Sequence, residues 1–226
     1  RRIAILDNFC WGNTDRPEVL GSLVRAALAC HDMAIVLETP FISGKDSLNN
    51  EFRVSDTETI SIPPSLLISA MGQVDDVRRC VTMDAKGPGS LVYLVGVTAD
   101  EMGGSHWGLV RNRNGGVVPR CHPHRAKRIF EALHAAISSG FVRACHDLSE
   151  GGLGVAAAEM AFSGCWGMEL DLQAMPCEPA SLSPVVRLFS ESNTRFLCEV
   201  APEHRAAFEA LFADLPVAEI GRVTES

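Results

Sequence analysis

Ser90-Leu-Val-Tyr-Leu-Val-Gly-Val97 is an apolar run of strand length, entered from the turn-rich stretch Lys86-Gly87-Pro88-Gly89. A short continuous apolar run bounded by glycine and proline reads as a buried strand. The Pro/Gly stretch before it reads as a domain boundary. The chain is therefore expected to divide into residues 1–86 and 87–226. Downstream, Met102-Gly103-Gly104-Ser105 is a tight loop. Pro123 to Ser138 has helical periodicity through Ala126, Ile129, Phe130, Leu133 and Ile137, with Gly140 where a C-terminal glycine belongs. Val142 to Cys145 reads as a strand and Leu153 to Phe162 as an apolar helix. Arg195 to Val200 is a further strand, Pro202 to Phe212 a last helix and Val217 to Val223 a closing strand.

Upstream, Ile3 to Leu6 reads as a strand ending on Asp7-Asn8, and Pro17 to about His31 as a helix with proline in its first turn. Ser43-Gly44-Lys45-Asp46-Ser47 reads as a glycine-containing loop, and Ser65 to Met71 as a buried strand. Strands and helices alternate without repeats, which predicts an α/β or α+β class.

Composition narrows the possible partners. The net charge of -8 disfavours nucleic acid and anionic membrane, both of which reward basic patches. No uninterrupted apolar run reaches about 18 residues, so no membrane span is expected. Two arginines ahead of four apolar residues are too few for a signal peptide. This start is expected of a compact N-terminus or of a chain cut from something longer. The eight cysteines lack any C-x-x-C pair and read as reduced core residues of a cytoplasmic protein. A metal site from Cys121, His122 and His124 is disfavoured by Pro123 between the histidines.

Three stretches combine acidic, glycine and hydroxyl residues beside apolar strands: Asp7 to Asn13, Ser43 to Asn50, and His146 to Gly152. Glycine lets backbone amides approach an anion, a serine hydroxyl donates to phosphate oxygen, and an aspartate among them calls for Mg²⁺. Each stretch also has a structural reading. Asp7-Asn8 suits a turn after a strand. Gly44-Lys45-Asp46-Ser47 lacks the first glycine of a P-loop. Asp147 or Ser149 suits a helix cap, and His146 a hydrogen-bonded structural role.

Taken jointly and in this order, Asp-Asn-Phe-Cys-Trp-Gly-Asn (7–13), Pro-Phe-Ile-Ser-Gly-Lys-Asp-Ser-Leu-Asn-Asn-Glu (40–51), His-Asp-Leu-Ser-Glu-Gly-Gly-Leu (146–153) and Leu-Phe-Ser-Glu-Ser-Asn (188–193) are more specific. Together they resemble the second half of the phosphoribosylformylglycinamidine synthase family, over nearly the whole chain. That family shares a superfamily with aminoimidazole ribonucleotide synthetase, selenophosphate synthetase and thiamine-monophosphate kinase.

The resemblance implies an AIR synthase-like two-lobe architecture: part of an N-terminal-type domain over residues 1–86, whose sheets pair into a barrel in the family, then a C-terminal-type domain over 87–226. It implies ATP contacts at Asp7, Gly44 and Ser149, a substrate contact at Ser47, and a magnesium ligand at Asp147. No catalytic residue is expected, because the family's catalytic histidine belongs to its first half. ATP and Mg²⁺ are the implied cofactors and formylglycinamide ribonucleotide the implied substrate. The rest of the parent synthase and a glutaminase are the implied partners. Such a chain alone is expected to carry out no turnover. Lys45 stands where compact superfamily members have a metal-binding asparagine, and an ammonium neutralises phosphate directly rather than ligating Mg²⁺. A scaffold retaining a structural nucleotide, and another small-molecule kinase or synthetase of the superfamily, are the competing readings.

Overall fold

The computed structural model describes residues 2–225. The chain forms two units that divide between Asp75 and Asp76.

In the first unit, strand β1 (Ile3–Cys10) is followed by helix α1 (Pro17–Leu37) and strand β2 (Phe41–Ser47). Hairpin β3 (Glu51–Arg53) and β4 (Thr59–Ser61) comes next, and β5 (Ser65–Gly72) closes the unit. The sheet order is β2-β1-β5, with β1 parallel to β2 and antiparallel to β5. Parallel neighbours need a crossover, and α1 supplies it. Phe9 of β1 is buried on the α1 side, and Trp11 just beyond the strand donates its indole N–H to Ser22 Oγ at 2.8 Å. Phe9 and Trp11 pack ring against ring at 5.3 Å between centroids.

Helix α1 presents Val19, Ser22, Leu23, Ala26, Cys30, Met33 and Leu37 as a half-buried stripe, the 3.6-residue spacing of a helix lying on a sheet. The helix is 21 residues long with a mean hydropathy of 1.5 over its most apolar window, enough by length and composition alone to cross a membrane. The expectation of no such segment rests on uninterrupted apolar runs; here Glu18, Arg25 and Asp32 are spaced along an otherwise apolar helix. Leu20, Val24, Leu28 and Ile35 line its outer side, each at least 45% exposed.

Three sequence expectations change here. The strand expected at Ser65 to Met71 forms as β5, but it is exposed along its length rather than buried. Asp7 and Asn8 do not turn; they lie inside β1, opposite Gly44 and Lys45 on one side and Ile68 and Leu67 on the other. Ser43 to Ser47 is likewise strand rather than loop. Pairing with neighbouring strands satisfies the backbone and overrides the turn preference of Asp, Asn and Gly.

The second unit begins with residues that the sequence assigns to the first. The Thr82 carbonyl accepts from Cys145 N at 3.1 Å, Ala85 N donates to Met160 O at 3.0 Å, and Lys86 N donates to Glu199 Oε2 at 2.7 Å. Ala85 is itself core. The Pro/Gly stretch is thus a turn within the second unit, and residues 82–86 pack with the C-terminal part of the chain.

The elements of this unit are β6 (Leu91–Val95), β7 (Thr98–Ala99), α2 (His106–Val110), α3 (Pro123–Ser138), β8 (Val142–Asp147), α4 (Gly152–Gly164), β9 (Gly167–Leu170), β10 (Cys177–Glu178), α5 (Pro184–Phe189), β11 (Phe196–Val200), α6 (Arg205–Leu211) and β12 (Val217–Thr224). Five strands form one sheet in the order β8-β11-β6-β12-β9, antiparallel throughout. β6 sits at its centre and is buried along its whole length. Val92 and Leu94 face a cluster with Leu153, Ala156 and Met160 of α4. Leu91, Tyr93 and Val95 face a second cluster with Ile129, Leu133 and Ala136 of α3 and with Phe208 of α6. A strand covered on both faces needs apolar residues at every position, which accounts for the unbroken run from Leu91.

Helix α3 has the bounds its periodicity predicts, whereas α6 is preceded by a separate 3₁₀ turn at Pro202–His204. No pattern in the sequence predicts β9, α5 or the β7–β10 pair. All three are short and hold their places through tertiary contacts.

Phe208 tests the second cluster. It is fully buried, with ring centroids of Tyr93 and Phe212 each at 4.8 Å. Phe208→Ala should cost about 3–5 kcal/mol in chemical denaturation. Phe162→Ala, at a position 66% exposed, should stay within about 0.5 kcal/mol.

Candidate functional site

Each unit has one polar cluster, the first within the paired strands β1 and β2 and the second at the end of β8. In the first, Asp7 and Gly44 are direct neighbours across the β1–β2 pair. The Asp7 carboxylate lies over the Gly44 Cα: a Cβ there would sit 2.3 Å from Asp7 Oδ1. A side chain at position 44 would force the Asp7 carboxylate to move. Asp7 shares its face of β1 with Phe9, toward α1. In keeping with this, the Cys30 thiol of α1 is pushed up by burial and then by the negative charge of Asp7.

Strand alternation puts Lys45 and Ser47 on the opposite face, where the Lys45 ammonium donates to the Ser47 hydroxyl. The structure therefore keeps Asp7 and Gly44 together and separates them from Ser47. Beside this pair, Glu51 gathers the chain after β1: its carboxylate accepts from Asn13 N at 2.9 Å and pairs with Arg16. These bonds hold the Glu51 carboxyl below its usual range, the Asn13 amide first among the causes.

In the second unit, Asp147 is the last residue of β8 and 61% exposed in its side chain. The Ser149 hydroxyl donates to Asp147 Oδ2. His146 bridges Asp147 Oδ1 at 3.4 Å and Glu159 Oε2 of α4 at 2.8 Å. Ser149 is the main cause holding the Asp147 carboxyl below its ordinary range; burial opposes it, and His146 adds to the lowering.

Beyond Ser149 the backbone turns through Gly151 and Gly152, with φ of 79° and 61°. A Cβ on Gly152 would meet the Ser190 carbonyl at 2.4 Å, so both the dihedral and the contact demand glycine. The Gly151 amide, a phosphate donor by the sequence reading, is taken: it donates to Glu191 Oε1 at 2.8 Å, as does the His106 amide at the start of α2. One carboxylate thus caps two helix starts.

Glu191 is held in turn by the loop around Arg195. Arg195 is 1% exposed and its guanidinium meets two carbonyls and a hydroxyl rather than a carboxylate: Nε donates to Ser192 O at 2.9 Å, Nη2 to Ser190 O, and Nη1 to Thr98 Oγ1 at 3.0 Å. Burial lowers its pKa to about 10, outweighing the opposing charge of Glu101. In the sequence Glu191 stands out only as part of a motif and Arg195 only as the start of a strand; the guanidinium's role depends on burial, which no local pattern encodes.

An open groove of about 540 Å³ runs past Asp147, Ser149, Glu150, Glu191, Asn193 and Arg195. Among the described residues no group of three or more His, Cys, Asp or Glu is arranged to hold a metal ion. A single ionised, solvent-facing carboxylate nonetheless suits Mg²⁺, which keeps several waters and is commonly held by one or two carboxylates plus substrate phosphates. The Asp147–Ser149 end of the groove fits that description.

Residues 87–226 match the family described as AIR synthase related protein, C-terminal domain. The chain belongs to the AIR synthase related family. Over 225 residues, all of this chain, it is 36% identical to phosphoribosylformylglycinamidine synthase subunit PurL of Thermococcus sibiricus, and it spans 30% of that relative's length. Among solved structures, Thermotoga maritima PurL complexed with ATP matches 99% of this chain and 34% of its own, with a TM-score of 0.71 at 18% identity. The same protein complexed with FGAR matches 100% and 36%, at 0.72 and 19%. Escherichia coli HypE, a hydrogenase maturation protein, matches 99% and 67%, at 0.68 and 16%. At these identities the structural likenesses establish the AIR synthase-like fold, and HypE shows that the fold serves more than one type of protein.

The geometry can be tested at Asp147 and at Gly44. The folded pKa of Asp147 lies below the unfolded value, so its stabilising contribution is present above the unfolded pKa and is lost as pH falls through the folded one. Ser149→Ala should raise the Asp147 midpoint toward the ordinary carboxylate value in a carboxyl-detected NMR titration. Gly44→Ala should destabilise the first unit by about 1–3 kcal/mol through overpacking against Asp7. The cost should shrink when Asp7→Ala removes the obstructing carboxylate, as a double-mutant denaturation cycle would show.

Proposed function

We propose that this chain is part of an ATP-dependent phosphoribosylformylglycinamidine synthase of de novo purine biosynthesis. The observation that carries the reading is the 36% identity to a PurL subunit along the whole chain. The order of the four polar motifs supports it. In this reading the parent enzyme converts formylglycinamide ribonucleotide to its amidine in the cytoplasm. The rest of the synthase and a glutaminase that releases ammonia from glutamine are its partners. ATP, with Mg²⁺, supplies the phosphoryl group that turns the formyl amide oxygen into a leaving group, which ammonia then displaces.

Asp147, kept ionised by Ser149, takes the role of magnesium ligand, and the Ser149 hydroxyl that of nucleotide contact. Glu191 occupies the Gly151 amide and so holds the loop's shape while denying that helix start to phosphate. In the first unit Ser47, with the Lys45 ammonium on its hydroxyl, is the substrate-side contact, the lysine supplying positive charge to an anion there. Asp7 and Gly44 lie on the face toward α1. We therefore place the nucleotide phosphates at the Asp147–Ser149 end and give Asp7 and Gly44 the task of setting the β1–β2 register beneath Ser47. The family division at residues 86 and 87 belongs to this reading, with residues 76–86 as the segment that leads into the second domain.

The test is comparative and uses the full-length parent. Asp147→Ala should weaken Mg²⁺-dependent ATP binding by more than the ~10–100-fold typical of residues that only orient a metal ligand, measured by titration calorimetry. Asp171→Ala, which removes only a short cap onto Gln173 N, should leave affinity nearly unchanged. Equal affinities for the two variants would show that Asp147 serves its loop and not a ligand.

A further inference from the structure

Cys145 and Cys198 stand directly opposite each other on β8 and β11, with their sulfurs 3.8 Å apart. The pair is of the non-hydrogen-bonded kind. The Cys145 amide points away from β11 and donates to the Thr82 carbonyl at 3.1 Å. Residues so paired have Cα atoms about 4.5 Å apart and side chains that lean together, inside the roughly 4.4–6.8 Å window over which a disulfide closes. Closing the bond brings the sulfurs from 3.8 Å to about 2.05 Å, by rotation about the side-chain bonds.

The two thiols have unequal surroundings. Cys198 is fully buried among Tyr93, Val200 and Phe208, and its hydrogen bond with Cys145, together with burial, holds its thiol well above the ordinary range. Cys145 is half-buried and sits on β8, the last strand on its side of the sheet. A small oxidant reaches Cys145 first.

We propose that Cys145 and Cys198 are a dithiol that a hydroperoxide converts into a cross-strand disulfide in the folded protein. The Cys145 thiolate attacks one peroxide oxygen, the O–O bond breaks, and the departing hydroxide leaves as water after taking a proton, so that Cys145 carries a sulfenic acid. The Cys198 sulfur then attacks the Cys145 sulfur, the S–O bond breaks, and the sulfenic hydroxyl leaves as water with the Cys198 proton. Two thiols are oxidised by two electrons and one hydrogen peroxide is reduced to two waters. The bond ties β8, which ends two residues later at Asp147, to the strand that begins just after Arg195. The proposal does not depend on which reaction the parent enzyme performs.

The test treats the natively folded full-length protein with hydrogen peroxide, blocks remaining thiols with N-ethylmaleimide, and maps linked peptides by non-reducing mass spectrometry. The expected result is a Cys145–Cys198 link, two hydrogens lighter than the separate peptides and abolished by a phosphine reductant. Cys121 and Cys165, exposed and singly placed, should instead form dimedone-trapped sulfenic acids. Cys198→Ala, its fold checked by near-ultraviolet circular dichroism, should raise dimedone labelling of Cys145 several-fold over the unsubstituted protein, because the resolving thiol is gone. Absence of the link in folded, peroxide-treated protein, or its appearance only after unfolding in urea, overturns the proposal. Should Cys198→Ala fail to fold, the peptide map of the unsubstituted protein decides alone.

Discussion

Strand β6 has no face left for water. Val92 and Leu94 point into one apolar cluster, Leu91, Tyr93 and Val95 into the other, and all five are at most 6% exposed. At about 1.5–3 kcal/mol for each large apolar side chain removed from water, this double burial requires a cover on each side. Helix α4 provides one; α3 and α6 provide the other. Each must return the chain to a strand of the same sheet. The polar residues of the groove lie on the segment that leads from β8 into α4 and on the one that leads from α5 into β11.

Burial also governs those polar residues. Arg195 and Glu191 each bind backbone groups of the loops around them rather than one another. A buried guanidinium is costly unless its donors are met, and here two of the acceptors are carbonyls of a single loop, Ser190 and Ser192. The loop therefore has one shape, and Glu191 is delivered to the amides of Gly151 and His106. Asp147 differs because it stays solvent-facing, with one hydroxyl and one imidazole beside it. This contrast, a satisfied carboxylate behind and an available one in front, gives the groove its chemical direction.

The first unit rests on a different balance. Its three-stranded sheet is packed on the α1 side, yet β5 is exposed along its length and the outer stripe of α1 is apolar. Within it Glu51 ties the segment after β1 to the β3–β4 hairpin through Asn13 and Arg16.

The sequence by itself determined the elements whose information is local and repeated. The apolar run at 91–95, the periodicity of α3 and the motif order that marks the family all survive unchanged, because strand length, helical spacing and residue order are properties of the chain alone. Only the tertiary structure decided that Asp7-Asn8 and Ser43 to Ser47 are strand, since pairing partners satisfy backbone groups that turn chemistry would otherwise claim. It alone joined residues 82–86 to the second unit, through contacts with Cys145, Met160 and Glu199 that lie far away in sequence. It alone separated Asp7 from Ser47 and committed the Gly151 amide to Glu191. Composition can nominate donors and acceptors near one another in the chain, but which face they take, and which are already satisfied, depends on long-range packing that brings distant backbone into hydrogen-bond reach.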